Sequence, residues 1–279
     1  MKKKVLLVAT VQSHIAQFHR PLANLLHKHE YEVHVAAKNN LAEKNGLQID
    51  FADKIYDLPF SRSPKSMDNY YAYKQLKKIL DAEKYDVVHC NTPMGGIVTR
   101  LAAKAARKKG TQVIYTAHGF HFYKGGPLKS WFLFYPVERA LARMTDVLVT
   151  INREDRSCAG RFILKKGGQV AFMPGTGTDT DRFCPDRSRR QEARQVMGVK
   201  EEEYCLVTAA RLDREKNCQT VLRAMEELGD IPCRYVICGE GPWRPFLERE
   251  VRRRGLEDRV RLMGFRADMD FLLQGADLF

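Results

Sequence analysis

The sequence predicts an α/β protein with two doubly wound parallel sheets. Short runs rich in Val, Ile and Leu alternate with helical segments along the chain, and this alternation is typical of βαβ units. The strand-like runs are apolar at consecutive positions, as expected for strands that helices cover on both faces. The 279 residues suffice for two ordinary domains, each with its own core.

The first two-thirds of the chain carry seven predicted strands. We expect these strands at residues 5–9, 32–37, 54–58, 86–89, 112–116, 146–151 and 169–172. The apolar spacing predicts helices at 16–29, 68–83, 95–109, a segment ending near 143, and 153–162. Asp68 is the expected N-cap of the second of these helices, because a carboxylate there can accept the first free backbone amides.

A second α/β region follows a stretch rich in Gly, Thr and Asp between Pro174 and Pro185. We therefore predict a domain over 1–175, a linker over 176–185 and a second domain over 186–279. The strands of the second domain are expected at 204–209, 233–238 and 260–263, and its helices at 218–227, 243–254 and 269–274. The segment 276–279 is expected to begin another strand. A doubly wound unit has about six strands, so we expect this domain to be incomplete and the chain to be C-terminally truncated.

The net charge of +13 is confined to the first part of the chain. Residues 1–180 hold 28 Lys and Arg against 15 Asp and Glu, whereas residues 181–279 hold 19 of each. Such a basic domain suits a phosphorylated substrate, an anionic membrane or nucleic acid, although a solvated Lys-rich surface would also explain the charge. The apolar runs are too short to span a bilayer. Seven irregularly spaced Cys residues favour a reducing compartment.

Chemically versatile side chains follow several of the predicted strands. His118 comes after the strand at 112–116, and Gly119 beside it permits close approach of a ligand. His118 could contact a sugar or phosphate, or could be satisfied by nearby backbone. His121 lies three residues further on, but no neighbouring Cys or carboxylate completes a metal site, so none is predicted.

Two further motifs lie in the second region. Arg211 and Lys216 flank a strand-to-helix junction, where they could clamp a pyrophosphate near helix amides. They could instead be exposed side chains paired with Asp213 and Glu215. Gly239 and Gly241 form a strand-to-helix turn, but the full G-x-G-x-x-G fingerprint is absent, which argues against an NAD enzyme.

Aromatic residues interleaved with Lys occupy residues 120–135. Amphipathic rings and flexible Lys side chains suit the surface of a membrane. A helix packed into the core is the other interpretation of the same residues.

The order of several motifs resembles one enzyme family. They are Thr116–Gly119, Pro174–Phe183, Arg211–Asn217, Gly239–Pro242, Val260–Phe265 and Ala276–Phe279. Together they are similar to family 4 of the retaining glycosyltransferases, which have the GT-B fold of two Rossmann-like domains facing a cleft. Residues 13–15, 117–125 and 135–138 further resemble bacterial capsular and exopolysaccharide glycosyltransferases.

This resemblance implies retaining transfer of a sugar from a nucleotide-sugar, expected to be a UDP-sugar, to a polyprenyl-diphosphate-linked or other polysaccharide-precursor acceptor. By the resemblance, His118 would act near the reacting sugar, and cationic side chains would replace a metal at the donor diphosphate. The implied donor-binding residues are Arg211, Lys216, Gly239, Gly241 and Phe265. Weaker candidates for the acceptor side are Ser13, His14 and His121.

The resemblance also implies no cofactor, no metal and no nucleic-acid partner, with the enzyme in the cytoplasm on the anionic inner face of the plasma membrane. Two alternatives remain at this stage, a non-catalytic basic module that binds anionic lipid or nucleic acid, and a GT-B sugar epimerase. The family's Glu-x7-Glu donor signature would fall beyond Phe279. We therefore expect the polypeptide alone to be inactive.

Overall fold

The computed structural model describes residues 2–43 and 47–279 and contains two compact α/β units. The first unit ends at Gly177 and the second begins at Thr178. Both sheets are entirely parallel, so the predicted α/β class with two Rossmann-like units is confirmed.

The first unit contains a seven-stranded sheet with helices on both faces. Its strands lie in the order β3-β2-β1-β4-β5-β6-β7. The strands are β1 (Lys4–Val11), β2 (Glu32–Lys38), β3 (Lys54–Asp57), β4 (Val87–Asn91), β5 (Gln112–Ala117), β6 (Val147–Thr150) and β7 (Gln169–Phe172). The helices are α1 (Gln12–Phe18), α2 (Arg20–Lys28), α3 (Asp68–Ala82), α4 (Pro93–Ala102), α5 (Lys104–Lys108), α6 (Leu128–Ala142) and α7 (Arg153–Ala159).

Two apolar clusters fill the space between this sheet and its helices. The larger cluster joins the sheet to α3, α4 and α6 and includes Leu6, Val88 and Tyr115. The smaller cluster lies under α1 and α2 and includes Leu7 and Val35. Adjacent residues of one strand therefore enter opposite clusters, which explains why the strand sequences are apolar without alternation.

Two predicted helices are each divided in two, and in the first a proline is the cause. The segment expected to be a single helix over 16–29 is divided into α1 and α2 at His19, whose ψ is −2°. Pro21 occupies the first turn of α2, where its missing N–H costs nothing, but the same ring would clash with the preceding turn of a continuous helix. The helix expected over 95–109 is likewise divided, at Ala103.

The expected cap of α3 is also wrong. Asp68 is the first helical residue, and Met67 precedes it without a capping side chain. The hydroxyl of Ser66 accepts a hydrogen bond from the Asp68 amide at 3.2 Å and donates one to the Asp68 carboxylate at 2.9 Å. Ser66, and not Asp68, therefore accepts a free backbone amide at the start of α3.

The second unit contains a three-stranded sheet in the order β10-β9-β8. Its strands are β8 (Tyr204–Ala209), β9 (Cys233–Cys238) and β10 (Val260–Gly264). Its helices are α8 (Arg190–Met197), α9 (Cys218–Glu227), α10 (Arg244–Arg253) and α11 (Met269–Leu272). The helix α8 was not predicted, because its exposed face is almost wholly polar and its buried apolar residues are only Ala193 and Met197.

The segment 276–279 pairs with this sheet. Leu278 bridges Leu206 of β8 in parallel, and its carbonyl accepts the Val207 amide at 2.8 Å. This single bridge agrees in place and direction with the predicted strand, but residues 276–279 form no strand beyond it. Among the described residues, no helix combines the length and apolar character needed to traverse a lipid bilayer.

Candidate functional site

The candidate site of the first unit lies where parallel strands end. Because β1, β4 and β5 are neighbours in the sheet, the residues that follow them share one edge. His14 follows β1 in α1, and His118 follows β5 directly. Their rings meet edge to face with centroids 4.7 Å apart. The sheet therefore brings together two histidines that lie far apart in the sequence.

The hydrogen bond of His118 indicates which of its nitrogens carries the proton. Its Nε2 lies 3.2 Å from Oδ1 of Asn91, an atom that can only accept. Nε2 is therefore the donor, which leaves Nδ1 as an acceptor for a hydroxyl group. Burial lowers the pKa of His118, so the ring is neutral at neutral pH.

Two more histidines extend this group beneath α1 and α2. The His19 ring lies 5.5 Å from His14 and 5.8 Å from His89, centroid to centroid. Burial, assisted by the neighbouring rings, lowers the pKa of His14 and of His89 to about 3. Burial lowers the pKa of His19 to about 4, against an opposing hydrogen bond. Within residues 2–43 and 47–279, no three His, Cys, Asp or Glu side chains are placed to share a metal ion.

A cavity of about 360 Å³ opens beside His14. All three residues assigned to the acceptor side by resemblance line it, namely Ser13, His14 and His121. Asn40 donates to the Ser13 hydroxyl at 2.9 Å, so this oxygen is fixed and can still donate to a ligand. The volume is within the range of small-molecule sites.

Residues that the sequence analysis missed complete the cavity wall. Arg62 contributes a cation, and Thr92 precedes the first turn of α4. Thr92 has a φ of 63°, a strained value for a β-branched residue, and its hydroxyl accepts the Thr10 amide at 3.0 Å. Asn91, the partner of His118, was also missed. Asn91 ends β4 and Thr92 follows it, so both could have been found by looking for polar residues at the carboxyl ends of the strands. Nothing local in the sequence indicates Arg62.

The second unit places its predicted residues along one edge as well. Because the strand order is β10-β9-β8, the turns that contain Arg211, Gly239 and Phe265 are consecutive at the carboxyl ends. Arg211 is 63% exposed, and its Nε lies 3.6 Å from Asp213, a weak surface contact. Lys216 is also exposed, and its backbone amide donates to the Asp213 carboxylate at 3.1 Å. Both cations are thus accessible to an anion.

The two glycines of the turn after β9 have a packing function. A Cβ at Gly239 would lie 1.8 Å from the Ala210 carbonyl oxygen, and one at Gly241 would lie 2.2 Å from that of Leu212. The Leu212 amide donates to Glu240 at 3.0 Å, which fixes the two turns backbone to backbone. Phe265 is 39% exposed beside Gly264. The glycines therefore determine where the Arg211 turn lies.

The aromatic segment at 120–135 is divided between core and surface. Phe120 and Phe122 are buried and stacked with centroids 4.8 Å apart. On α6, by contrast, Phe132 is 79% exposed, Leu128 74% and Leu133 64%. The first part of the segment therefore belongs to the core, whereas α6 exposes apolar side chains, and contact with a membrane stays a prediction.

Comparison with known proteins identifies the family. The family described as glycosyl transferase 4-like matches residues 4–152, and glycosyl transferases group 1 matches residues 189–279. The putative glycosyltransferase EpsD of Bacillus subtilis is 40% identical over 281 residues, covering 100% of this chain and 72% of EpsD. An Escherichia coli relative, UDP-Gal:alpha-D-GlcNAc-diphosphoundecaprenol alpha-1,3-galactosyltransferase, is 28% identical over 251 residues, which are 86% of this chain and 64% of that protein.

A solved structure supports the same fold. Anabaena Alr3699/HepE, crystallised with UDP and glucose, superposes with a TM-score of 0.74 at 16% identity and covers 99% of this chain and 72% of its own. At this identity the likeness concerns the fold alone. With both family matches and the 40% identity to EpsD, the chain belongs to the GT-B glycosyltransferases of family 4 and resembles those of exopolysaccharide synthesis.

Proposed function

We propose that this chain serves the retaining transfer of a sugar from a UDP-sugar to a polyprenyl-diphosphate-linked saccharide. The observation that carries the proposal is the alignment of Arg211, Gly239 and Phe265 on consecutive turns of one sheet edge. An exposed Arg and Lys near the start of α9 suit an anionic diphosphate. The E. coli relative, whose name states a UDP-sugar donor and a diphosphoundecaprenol acceptor, supports both substrate classes.

In the proposed reaction, the bond between the anomeric carbon and the diphosphate breaks as the bond to the acceptor oxygen forms on the same face. The acceptor hydroxyl gives its proton to the departing diphosphate. Arg211 and Lys216 stabilise the charge that develops on this leaving group. His118, neutral and with Nδ1 free to accept, orients a sugar hydroxyl.

The cavity beside His14 is the proposed acceptor site. Its lining combines the fixed Ser13 hydroxyl, the imidazoles of His14 and His121, and the Arg62 cation. Hydroxyl and imidazole groups suit a sugar, and a guanidinium suits the diphosphate of a lipid carrier. The proposed acceptor carries both groups.

We further propose that α6 places the protein on the anionic inner face of the plasma membrane. The exposed side chains of Leu128, Phe132 and Leu133 form an apolar surface on this helix. Exposed cations lie on this helix or within four residues of its ends, namely Lys124, Lys129, Arg139 and Arg143. Such a combination suits the interface of an anionic bilayer, where each cation near the surface contributes about 1 kcal/mol.

Donor binding is tested by calorimetric titration with UDP. Arg211→Ala should weaken binding by about 1.5–3 kcal/mol, or roughly 10- to 150-fold, because a charge-assisted contact is lost. Arg214→Ala is the matched control, since it removes the same charge from an exposed position in the same turn. A wild-type chain that does not bind UDP would contradict the proposal and favour the non-catalytic module. Equal effects of the two variants would contradict the role of Arg211.

Membrane binding is tested by sedimentation with two types of vesicle. One type contains the anionic lipid phosphatidylglycerol, and the other consists of phosphatidylcholine alone. We expect binding to the anionic vesicles, and Phe132→Ser should reduce it about 10-fold or more, because a buried aromatic ring contributes about 1.5–3 kcal/mol. Ile163→Ser is the control, since Ile163 is 61% exposed outside α6. Equal binding to both vesicle types would contradict the preference for an anionic surface, and equal losses in both variants would rule out docking through α6.

A further inference from the structure

A buried carboxylate supports the segment that carries His118 and His121. Asp155, in the first turn of α7, is only 4% exposed. Its Oδ2 accepts hydrogen bonds from the Phe120 amide at 3.1 Å and from the Asn152 side chain at 2.7 Å. The proposed reaction does not use this group, so its burial requires another explanation.

The position of Asp155 carries an energetic cost. Desolvation disfavours its ionised form and raises the pKa of the carboxyl, although the two hydrogen bonds oppose this effect. Asn152 already serves as the N-cap of α7, because its Oδ1 accepts the Asp155 amide at 2.7 Å. A free amide of the first helical turn is therefore satisfied by Asn152 through the Asp155 backbone. The carboxylate adds two bonds, one from the side chain of this capping residue and one from the Phe120 amide, and only the second reaches outside the helix terminus.

That bond fixes the centre of a short connection. Phe120 lies between His118, which contacts His14, and His121, which lines the cavity. Gly119, with a φ of 128° and no side chain to pack, cannot hold this connection in place. Glu154 holds the far end, because its carboxylate accepts the Lys124 amide at 2.5 Å.

We propose that Asp155 is a positioning residue, which holds the Phe120 backbone so that the imidazoles of His118 and His121 keep fixed places at the reaction site. The inference rests on the proposed function, which assigns those two rings to the sugar and the acceptor. Asp155 itself contacts no substrate. Its effect passes through one hydrogen bond to the connection between the two histidines.

Three variants separate positioning from simple stabilisation. Asp155→Ala removes the acceptor of the Phe120 amide. Asp155→Asn retains an oxygen that can occupy the place of Oδ2 and accept both bonds. Asn152→Ala is the matched control, because it removes the cap of α7 and the other donor to the Asp155 carboxylate, and so lowers stability, while leaving the bond between Phe120 and Asp155 possible.

The full chain, labelled with ¹⁵N, is examined by NMR without ligand, at a temperature where every variant is folded. In Asp155→Ala, exchange protection of the Phe120 amide should fall about 10- to 100-fold, as expected for loss of a charge-assisted bond. The imidazole resonances of His118 and His121 should move in the same variant. Both signals should stay near their wild-type values in Asn152→Ala and return towards them in Asp155→Asn.

Unchanged imidazole resonances in Asp155→Ala, or equal changes in Asp155→Ala and Asn152→Ala, would overturn the inference. A wild-type chain that fails to bind UDP would instead contradict the proposed function. The two failures are distinguishable, because the imidazole resonances report ring positions with no substrate present.

Discussion

Replacing Glu138 should destabilise the first unit strongly, because it would leave a buried cation without its counter-charge. Arg100 is 0% exposed, and its Nη1 donates to Glu138 Oε2 at 2.9 Å. Its remaining partners are the Gly96 carbonyl, at 2.9 Å from Nε, and the Tyr115 ring, whose centroid lies 4.0 Å from Cζ. Nη2 is buried with no partner among the described residues.

The size of the effect follows from this environment. Breaking a buried ion pair by removing one partner costs about 3–5 kcal/mol, since the other charge stays desolvated. Glu138→Ala should therefore remove that amount from the free energy of unfolding of the first unit. Replacing both partners by apolar residues, as in Arg100→Met with Glu138→Leu, should restore most of the loss, because no unpaired charge remains.

The two tryptophans allow the assay to resolve the units. Trp131 lies in α6 of the first unit, and Trp243 immediately precedes α10 of the second. In a Trp243→Phe background, urea unfolding followed by tryptophan fluorescence reports the first unit alone. Asp81→Ala is the control, since it breaks the exposed pair between Lys77 and Asp81, worth about 0.3–0.5 kcal/mol. A loss below about 1 kcal/mol in Glu138→Ala, or a double variant less stable than Glu138→Ala, would refute the reasoning.

Two further predictions concern pH and turn packing. The pKa values of His14, His19 and His89 are lowered to about 3 or 4 in the folded chain. Histidines of the unfolded chain have a pKa of about 6.5, so below that pH the unfolded chain binds more protons than the folded one. The contribution of these three neutral histidines to the free energy of unfolding is therefore fully present above that pH and is lost on acidification. In the Trp131 assay, we expect the free energy of unfolding to fall by about 4 kcal/mol in total between pH 7.5 and 5.5. Gly239→Ala should cost the second unit about 1–3 kcal/mol more than Gly229→Ala in Trp243 fluorescence, because only the first Cβ meets backbone. A flat pH profile, or equal glycine effects, would contradict these two arguments.

The sequence could predict the part of the site that lies at the carboxyl ends of the parallel strands. His118 was assigned as a residue after a strand and His14 only by the family resemblance, and the parallel sheet places their rings in contact. Sequence periodicity locates strand ends well, because buried strands are apolar throughout. It carries no information on which surface loop crosses a given edge, and so Arg62 was missed.

Local patterns failed where a tertiary or backbone effect overrode them. The apolar spacing of α1 and α2 continues through His19, but Pro21 forbids a continuous helix. The role of Asp155 could not be predicted, because its partner Phe120 is 35 residues away and the sequence alone shows only an acidic residue in a first helical turn. Such a residue is ordinarily explained by the helix dipole.

The glycines of the second unit show that a correct location can have a different physical cause. A Gly-x-Gly turn after a strand suggests backbone wrapped around a phosphate. Here, Gly239 and Gly241 face the carbonyls of Ala210 and Leu212, at distances that leave no room for a side chain. Their absent side chains allow two turns to pack together, and the packed turn is the one that carries Arg211. Substitution of either glycine would therefore displace the cation, even if no ligand ever touched the glycine itself.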